Sequence, residues 1–158
     1  MKKMKKDPML TAVEEARKGA SKCEGGPFGA VIVKHGKIVA KAHNLVLKKN
    51  DPTCHAEIEA IRKASKKLGT YNLEGCEIYS TTEPCPMCFS AIHWARIGKI
   101  YFGTETKDAA EIGFNELAIS DKTLKRLGNS KIELVPGYKR EECLKLLEYW
   151  KNMNCELY

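Results

Sequence analysis

The chain of 158 residues carries a net charge of +7, with 43% hydrophobic and 30% charged residues. That length suffices for one domain with a buried core, and that balance excludes a disordered tail or a bilayer-embedded chain. No apolar run approaches the roughly 20 residues that cross a bilayer. Met1 to Asp7 is lysine-rich and lacks both the apolar stretch and the cleavage site of a secretory signal, so the cytoplasm is the expected address. Residues 1–7 read as a frayed basic end. The remaining cationic excess is modest, which makes nucleic acid a minor expectation as a partner. Seven cysteines, an odd number at irregular spacing, argue against a disulfide framework and turn attention to metal binding or catalysis.

No repeat or low-complexity linker divides the chain, so residues 1–158 read as a single domain. Ala12, Ala16 and Ala20 recur at helical spacing and predict a helix over 8–21, ended by Gly25-Gly26-Pro27. Phe28 to Val33 predicts a strand, His35-Gly36 a two-residue turn, and Lys37 to Ala42 the returning strand. A polar loop over 48–53 leads to Thr53, a candidate cap for a helix over 54–68 with Ile58, Ile61 and Leu68 facing inward. Cys76 to Thr82 predicts a third strand. Pro84 or Pro86 suits the first turn of a helix reaching Arg96. Lys99 to Gly103 predicts a fourth strand, 108–111 a short helix followed by an irregular region, Ile132 to Val135 a fifth strand, and Arg140 to Met153 a closing amphipathic helix. Strands alternating with helices after an opening hairpin predict a three-layer α/β/α sandwich around a five-stranded mixed sheet.

One cluster carries the chemistry. His55-Ala56-Glu57 opens one predicted helix and Pro84-Cys85-Pro86-Met87-Cys88 opens another. Cys85 and Cys88, three apart, share a helix face and can bind one ion. A helix start also favours thiolates, because its unpaired N–H groups and dipole stabilise negative charge. His55, Cys85 and Cys88 form a set of three ligands suited to Zn²⁺, one ion per chain, with a fourth position left for water as in catalytic sites. Glu57 is placed as the base such a water needs. A redox Cys-x-x-Cys pair or half of a structural zinc knuckle are the competing readings. The first has no use for the two prolines or the His-x-Glu partner, and the second requires a fourth ligand.

His-x-Glu followed by Pro-Cys-x-x-Cys is the pattern of zinc-dependent nucleobase deaminases. The chain resembles the cytidine-deaminase-like superfamily over nearly its whole length, and within it the small bacterial-type guanine deaminases. The carrying segments are Gly25 to Ala30, Asn44, Asn50 to Thr53, His55 to Glu57, Glu83 to Cys88, Ala91 to Arg96 and Asp108 to Phe114, with Tyr158 at the end. The resemblance implies that His55, Cys85 and Cys88 hold zinc. It implies that Glu57 shuttles protons while water attacks C2 of guanine, releasing xanthine and ammonia. It further implies that Asn44 hydrogen-bonds the purine, that Phe28, Ala56 and Trp94 lie on or beside the base, and that Tyr158 closes over it. Asn44 read alone is equally an Asx-turn residue, and Phe28 and Trp94 read alone are equally core residues.

At Asn115-Glu116 the chain departs from the family's two aspartates. Glu116 keeps the charge that accepts guanine N–H groups but is one methylene longer. The resemblance also implies a homodimer with a domain-swapped C-terminal segment. Cys23, Cys54, Cys76, Cys143 and Cys155 are expected as free thiols, largely buried. His35 belongs to the hairpin turn and His93 to a helix face. Rival readings are a tRNA adenosine deaminase, whose zinc motif is nearly the same and which a lysine-rich surface would serve, a cytosine or nucleoside deaminase, and a non-catalytic zinc-stabilised RNA-binding module. The retained Glu57 speaks against the last.

Overall fold

Helix α1 (Pro8–Ser21) starts at Asp7, whose carboxylate accepts the Met9 N–H at 2.8 Å while Pro8 occupies the first turn. The computed structural model describes residues 6–158. The expected frayed end therefore lies mostly outside the described residues. Where it is described, the expectation is corrected: Asp7 caps α1 and accepts the Tyr138 hydroxyl at 2.7 Å, and Lys6 pairs with Glu14.

Strands β1 (Gly29–Lys34) and β2 (Lys37–His43) form the antiparallel hairpin, turning at His35 and Gly36 with φ of 48° and 69°. Positive φ at both turn positions suits the right-handed twist of the flanking strands. β3 (Cys76–Thr82) pairs antiparallel with the other edge of β1, and β4 (Lys99–Thr104) and β5 (Glu133–Val135) follow parallel, giving the order β2-β1-β3-β4-β5. Alternate residues serve opposite faces. Ala30, Ile32, Ile78, Ile100 and Phe102 join one core with α3 (Ala56–Leu68) and α4 (Pro86–Trp94), whereas Val31, Val33 and Tyr79 join another with α1. Helix α7 (Arg140–Lys151) packs beside α1 on that second face. The three-layer arrangement follows.

Four local expectations are revised. The loop before residue 53 contains a helical turn, α2 (Val46–Lys49). Thr53 binds Asp51 through its N–H and hydroxyl, and His55 is the cap residue of α3. The buried face of α3 is Ala56, Glu57, Glu59, Ala60 and Ala64, while Leu68 is exposed. Small side chains let α3 approach the sheet closely, and Ile58 and Ile61 are half-buried beside that face, Ile61 packed against the core. The short helix expected over 108–111 is α5 (Thr106–Glu111), and the irregular region after it holds α6 (Asp121–Leu127), which Ser120 caps by accepting the Thr123 N–H.

The C-terminal helix is tied to α5 by Arg140, whose guanidinium donates twice to the buried Asp108 carboxylate, at 2.7 and 2.9 Å. This pair holds the Asp108 carboxyl below its usual range. A depressed folded-state pKa contributes stability above the unfolded value of about 3.9, and that contribution is lost as pH falls through the folded value. Arg140→Ala is expected to cost about 1–2 kcal/mol at pH 7 in chemical denaturation. The gap from the parent protein should close below about pH 4.

Candidate active site

Two helix starts meet at the C-terminal end of β3. His55 is the cap residue of α3 and Cys85 that of α4, both with extended backbone and neither spending its side chain on capping. Pro86 begins α4 where its missing N–H costs nothing. Cys88, one turn along, points to the same side as Cys85. Both Sγ atoms lie 3.6 Å from His55 Nδ1, and all three donor atoms fall within 4.8 Å of one another. Tetrahedral Zn²⁺, with Zn–S of about 2.3 Å and Zn–N of about 2.0–2.1 Å, separates sulfur from nitrogen by about 3.6 Å. The donor set fits the ion in chemistry and in spacing.

Electrostatics point the same way. A hydrogen bond from Cys88 holds the Cys85 thiol well below its ordinary range, with His55 assisting against burial, while Cys88 is pushed up by sharing that proton and by burial. Burial opposes a charge on His55, but the Cys85 hydrogen bond and the Glu57 charge outweigh it and raise its pKa. A cation placed among these groups removes the competition, because thiolate ligation displaces the shared proton.

Glu57 sits in the first turn of α3, buried, with its pKa raised chiefly by that burial. Ser80 on β3 donates to Glu57 Oε1 at 2.9 Å, and Oε2 lies 3.5 Å from Cys88 Sγ. One oxygen is thus anchored and the other faces the metal centre. The wall beyond is built around Glu83, whose carboxylate accepts the Thr106 N–H and hydroxyl and the Asp121 N–H, joining the end of β3 to the starts of α5 and α6. The Asp121 carboxyl has no hydrogen-bond partner among the described residues and is pushed up to about 9 by burial and by the nearby Glu83. Both influences favour the neutral carboxyl over a further buried charge.

The centre opens into a cavity of about 220 Å³ lined by Phe28, Asn44, Pro52, His55, Glu57, Thr82, Glu83, Cys85, Phe114, Asn115, Glu116 and Tyr158. Asn44 plays both parts considered for it. Its Oδ1 accepts the Val46 N–H at 3.0 Å, as in an Asx-turn, and this assigns the oxygen and leaves the amide NH₂ for the cavity. The Asn44 side chain also abuts Gly25, where any Cβ would collide with Oδ1. Phe28 and Phe114 meet edge to face at 5.0 Å. Glu116, half-buried, is pushed up to about 7 by burial and by the negative charge of Cys85.

Three expectations differ. Trp94 is 78% exposed at the end of α4 and does not line the cavity, because the helix turns that side of its last turn outward. Ala56 is fully buried in the core and is not part of the lining. Tyr158 lines the cavity as expected, its hydroxyl accepting the Gly26 N–H at 3.0 Å. Cys23 and Cys155 are not free thiols. They form a disulfide across 132 residues of sequence, a separation that hid the pairing, while Cys54, Cys76 and Cys143 are buried thiols as expected. Reading residues alone missed Ser80, Thr82, Pro52 and Phe114. Pro52 and Phe114 lay within segments already singled out, whereas Ser80 carries no signal beyond its strand.

Purified protein is expected to bind one zinc per chain by elemental analysis, with Cys88→Ala and His55→Ala each losing stoichiometric metal. Retention of a full zinc equivalent by either variant would remove that residue from the ligand set.

The cytidine and deoxycytidylate deaminase zinc-binding region matches residues 2–104. The chain is 53% identical over 105 residues to the guanine deaminase of Bacillus subtilis, covering 66% of this chain and 67% of that protein. It is 49% identical over 99 residues to the tRNA-specific adenosine deaminase of Aquifex aeolicus, covering 63% of this chain and 65% of that one, so the matched segment spans about two thirds of these relatives. Among solved structures, NE0047 in complex with 2,6-diaminopurine superposes with a TM-score of 0.85 at 28% identity, covering 96% of this chain and 83% of that one. Family members are hydrolases of C–N bonds, and the zinc-binding region of that family contains the three ligands whose geometry fits the ion. The chain belongs to the zinc-dependent cytidine-deaminase-like family of deaminases.

Proposed function

We propose that this deaminase acts on guanine, yielding xanthine and ammonia, as a homodimer in the cytoplasm. The observation that carries the reading is the cavity. At about 220 Å³ it lies below the roughly 300–1,000 Å³ of drug-sized ligand sites, which suits a single free base. The guanine deaminase of Bacillus subtilis is 53% identical, and NE0047 binds a diaminopurine, an amino-bearing purine of the same outline.

Zinc held by His55, Cys85 and Cys88 supplies Lewis acidity, which lowers the pKa of water toward 7 and provides a nucleophile at neutral pH. The chain's own residues do the rest. Glu57, with Oε1 anchored by Ser80, has Oε2 placed to take one proton from the attacking water and pass it to the purine ring nitrogen, and then to carry the remaining hydroxyl proton to the departing amine. Burial raises its pKa above the ordinary carboxylate range, which favours its holding a proton in transit. Glu116 accepts the N–H groups of the purine, and the Asn44 amide donates to an acceptor on the base. Phe28, Phe114 and Tyr158 supply aromatic walls that exclude water.

The competing reading, deamination of adenosine in tRNA, draws on the 49% identical relative and on the net charge of +7. Ammonia release by the zinc-loaded protein separates the two. Guanine is expected to turn over, and guanosine, adenine, cytosine, cytidine and an anticodon stem-loop are not. Activity confined to the stem-loop would overturn the substrate assignment. Glu57→Gln should bind guanine with turnover reduced about 10²–10⁴-fold. Glu116→Ala should lose about 10–100-fold in kcat/KM for guanine, the cost of a charged hydrogen-bond acceptor. Unchanged kinetics in the latter would remove Glu116 from base recognition.

A further inference from the structure

The disulfide between Cys23 and Cys155 takes no part in the chemistry just described. It joins the turn after α1 to the C-terminal tail beyond α7, where residues 154–158 have no regular secondary structure. Two independent features give this bridge a role at the cavity.

The first is the backbone at Cys23. The Cys23 N–H bonds to Ala20 O and the Glu24 N–H to Gly19 O, both at 3.0 Å, and Cys23 has φ of 50°. This is a Schellman turn whose left-handed position favours glycine or asparagine. Cysteine is a poorer choice for the turn itself and adds one thing that glycine lacks, a sulfur. The second is what flanks the two sulfurs. Three residues after Cys23 comes Gly26, and three residues after Cys155 comes Tyr158. The Gly26 N–H donates to the Tyr158 hydroxyl at 3.0 Å. The bridge and this hydrogen bond are two rungs between one loop and one tail. Tyr158 then packs against Phe114, with ring centroids 5.5 Å apart, and completes the cavity lining, while Leu157 lies against Gly113. A segment without regular structure is held in place only by its contacts, and the covalent tie stands three residues from the aromatic wall.

We propose that Cys23 and Cys155 form a reversible thiol-oxidation site that latches the Tyr158 wall: the disulfide holds the cavity closed around a base, and the dithiol lets the tail leave. Both cysteines are half-buried and so within reach of small reagents. The oxidant class is a peroxide. One thiolate attacks a peroxide oxygen, the O–O bond breaks, and a sulfenic acid and hydroxide result. The second thiolate attacks the sulfenic sulfur, the S–S bond forms, and a second hydroxide leaves. Two thiols and hydrogen peroxide thus become one disulfide and two waters. A dithiol reverses the step through a mixed disulfide, returning two electrons and two protons to the protein sulfurs.

The experiment uses full-length, zinc-loaded protein in three forms: oxidised with dilute hydrogen peroxide, reduced with dithiothreitol at verified zinc content, and as the Cys23→Ser and Cys155→Ser variants. The first readout is amide hydrogen exchange over residues 154–158 by mass spectrometry, which is independent of the substrate's identity. Oxidised protein should exchange there about tenfold or more slowly than the reduced protein and both variants. The second is KM for guanine, expected to rise about tenfold in the reduced and variant forms with kcat within a factor of about two, as for loss of one stacking wall. Equal exchange in all forms overturns the latch, as does peptide mapping that finds Cys23 and Cys155 unpaired with each other in the peroxide-treated protein. A tenfold difference in exchange with no guanine turnover in any form supports the latch and overturns the substrate assignment instead.

Discussion

The site depends on two helix N-termini converging at one strand end. α3 and α4 both begin at the C-terminal end of β3, and each places a ligand at its cap position, His55 and Cys85. A helix start presents unpaired N–H groups and the positive end of the dipole, so it stabilises a thiolate before any ion arrives. The sheet fixes the separation of the two starts: β1 lies between β2 and β3, and the alanine face of α3 packs close to that surface. Ala60 and Ala64, far from the chemistry, thereby help set the His55 to Cys85 distance.

Around this centre the chain gathers more acids than a dry site tolerates unaided. Glu57, Glu83, Glu116 and Asp121 crowd one region with two cysteines. Each is handled differently. Glu83 is satisfied by three donors, burial and the neighbouring Glu83 raise the Asp121 pKa, Glu57 is anchored at one oxygen by Ser80, and burial raises the Glu116 pKa. Carboxyls whose environments separate their protonation states are the raw material of acid–base chemistry. The residual negative charge is what a divalent cation and a base rich in N–H groups would neutralise.

Much of this was readable in the amino-acid sequence because it rests on local patterns. The alanine spacing of α1, the His-Gly turn and the Cys-x-x-Cys helix start each express a rule that acts within a few residues. What escaped reading depends on partners distant in sequence. The Cys23–Cys155 bridge spans 132 residues, and Tyr158 meets Gly26 across the whole chain. Trp94 has helical spacing compatible with burial, yet which side of the last turn of α4 faces outward is decided by packing against the sheet. α6 lacked a strong apolar stripe and is held instead by the Ser120 cap and by the Glu83 carboxylate from another element.

The central claim is that His55, Cys85 and Cys88 form a three-ligand zinc site with its fourth position open to solvent. X-ray absorption at the zinc edge of the purified protein tests it directly. The expected spectrum has two sulfur neighbours at about 2.3 Å, one imidazole nitrogen at about 2.0–2.1 Å and one further light atom. A shell of four protein ligands, with three or more sulfurs or no light-atom position left for water, would contradict it and make the centre structural.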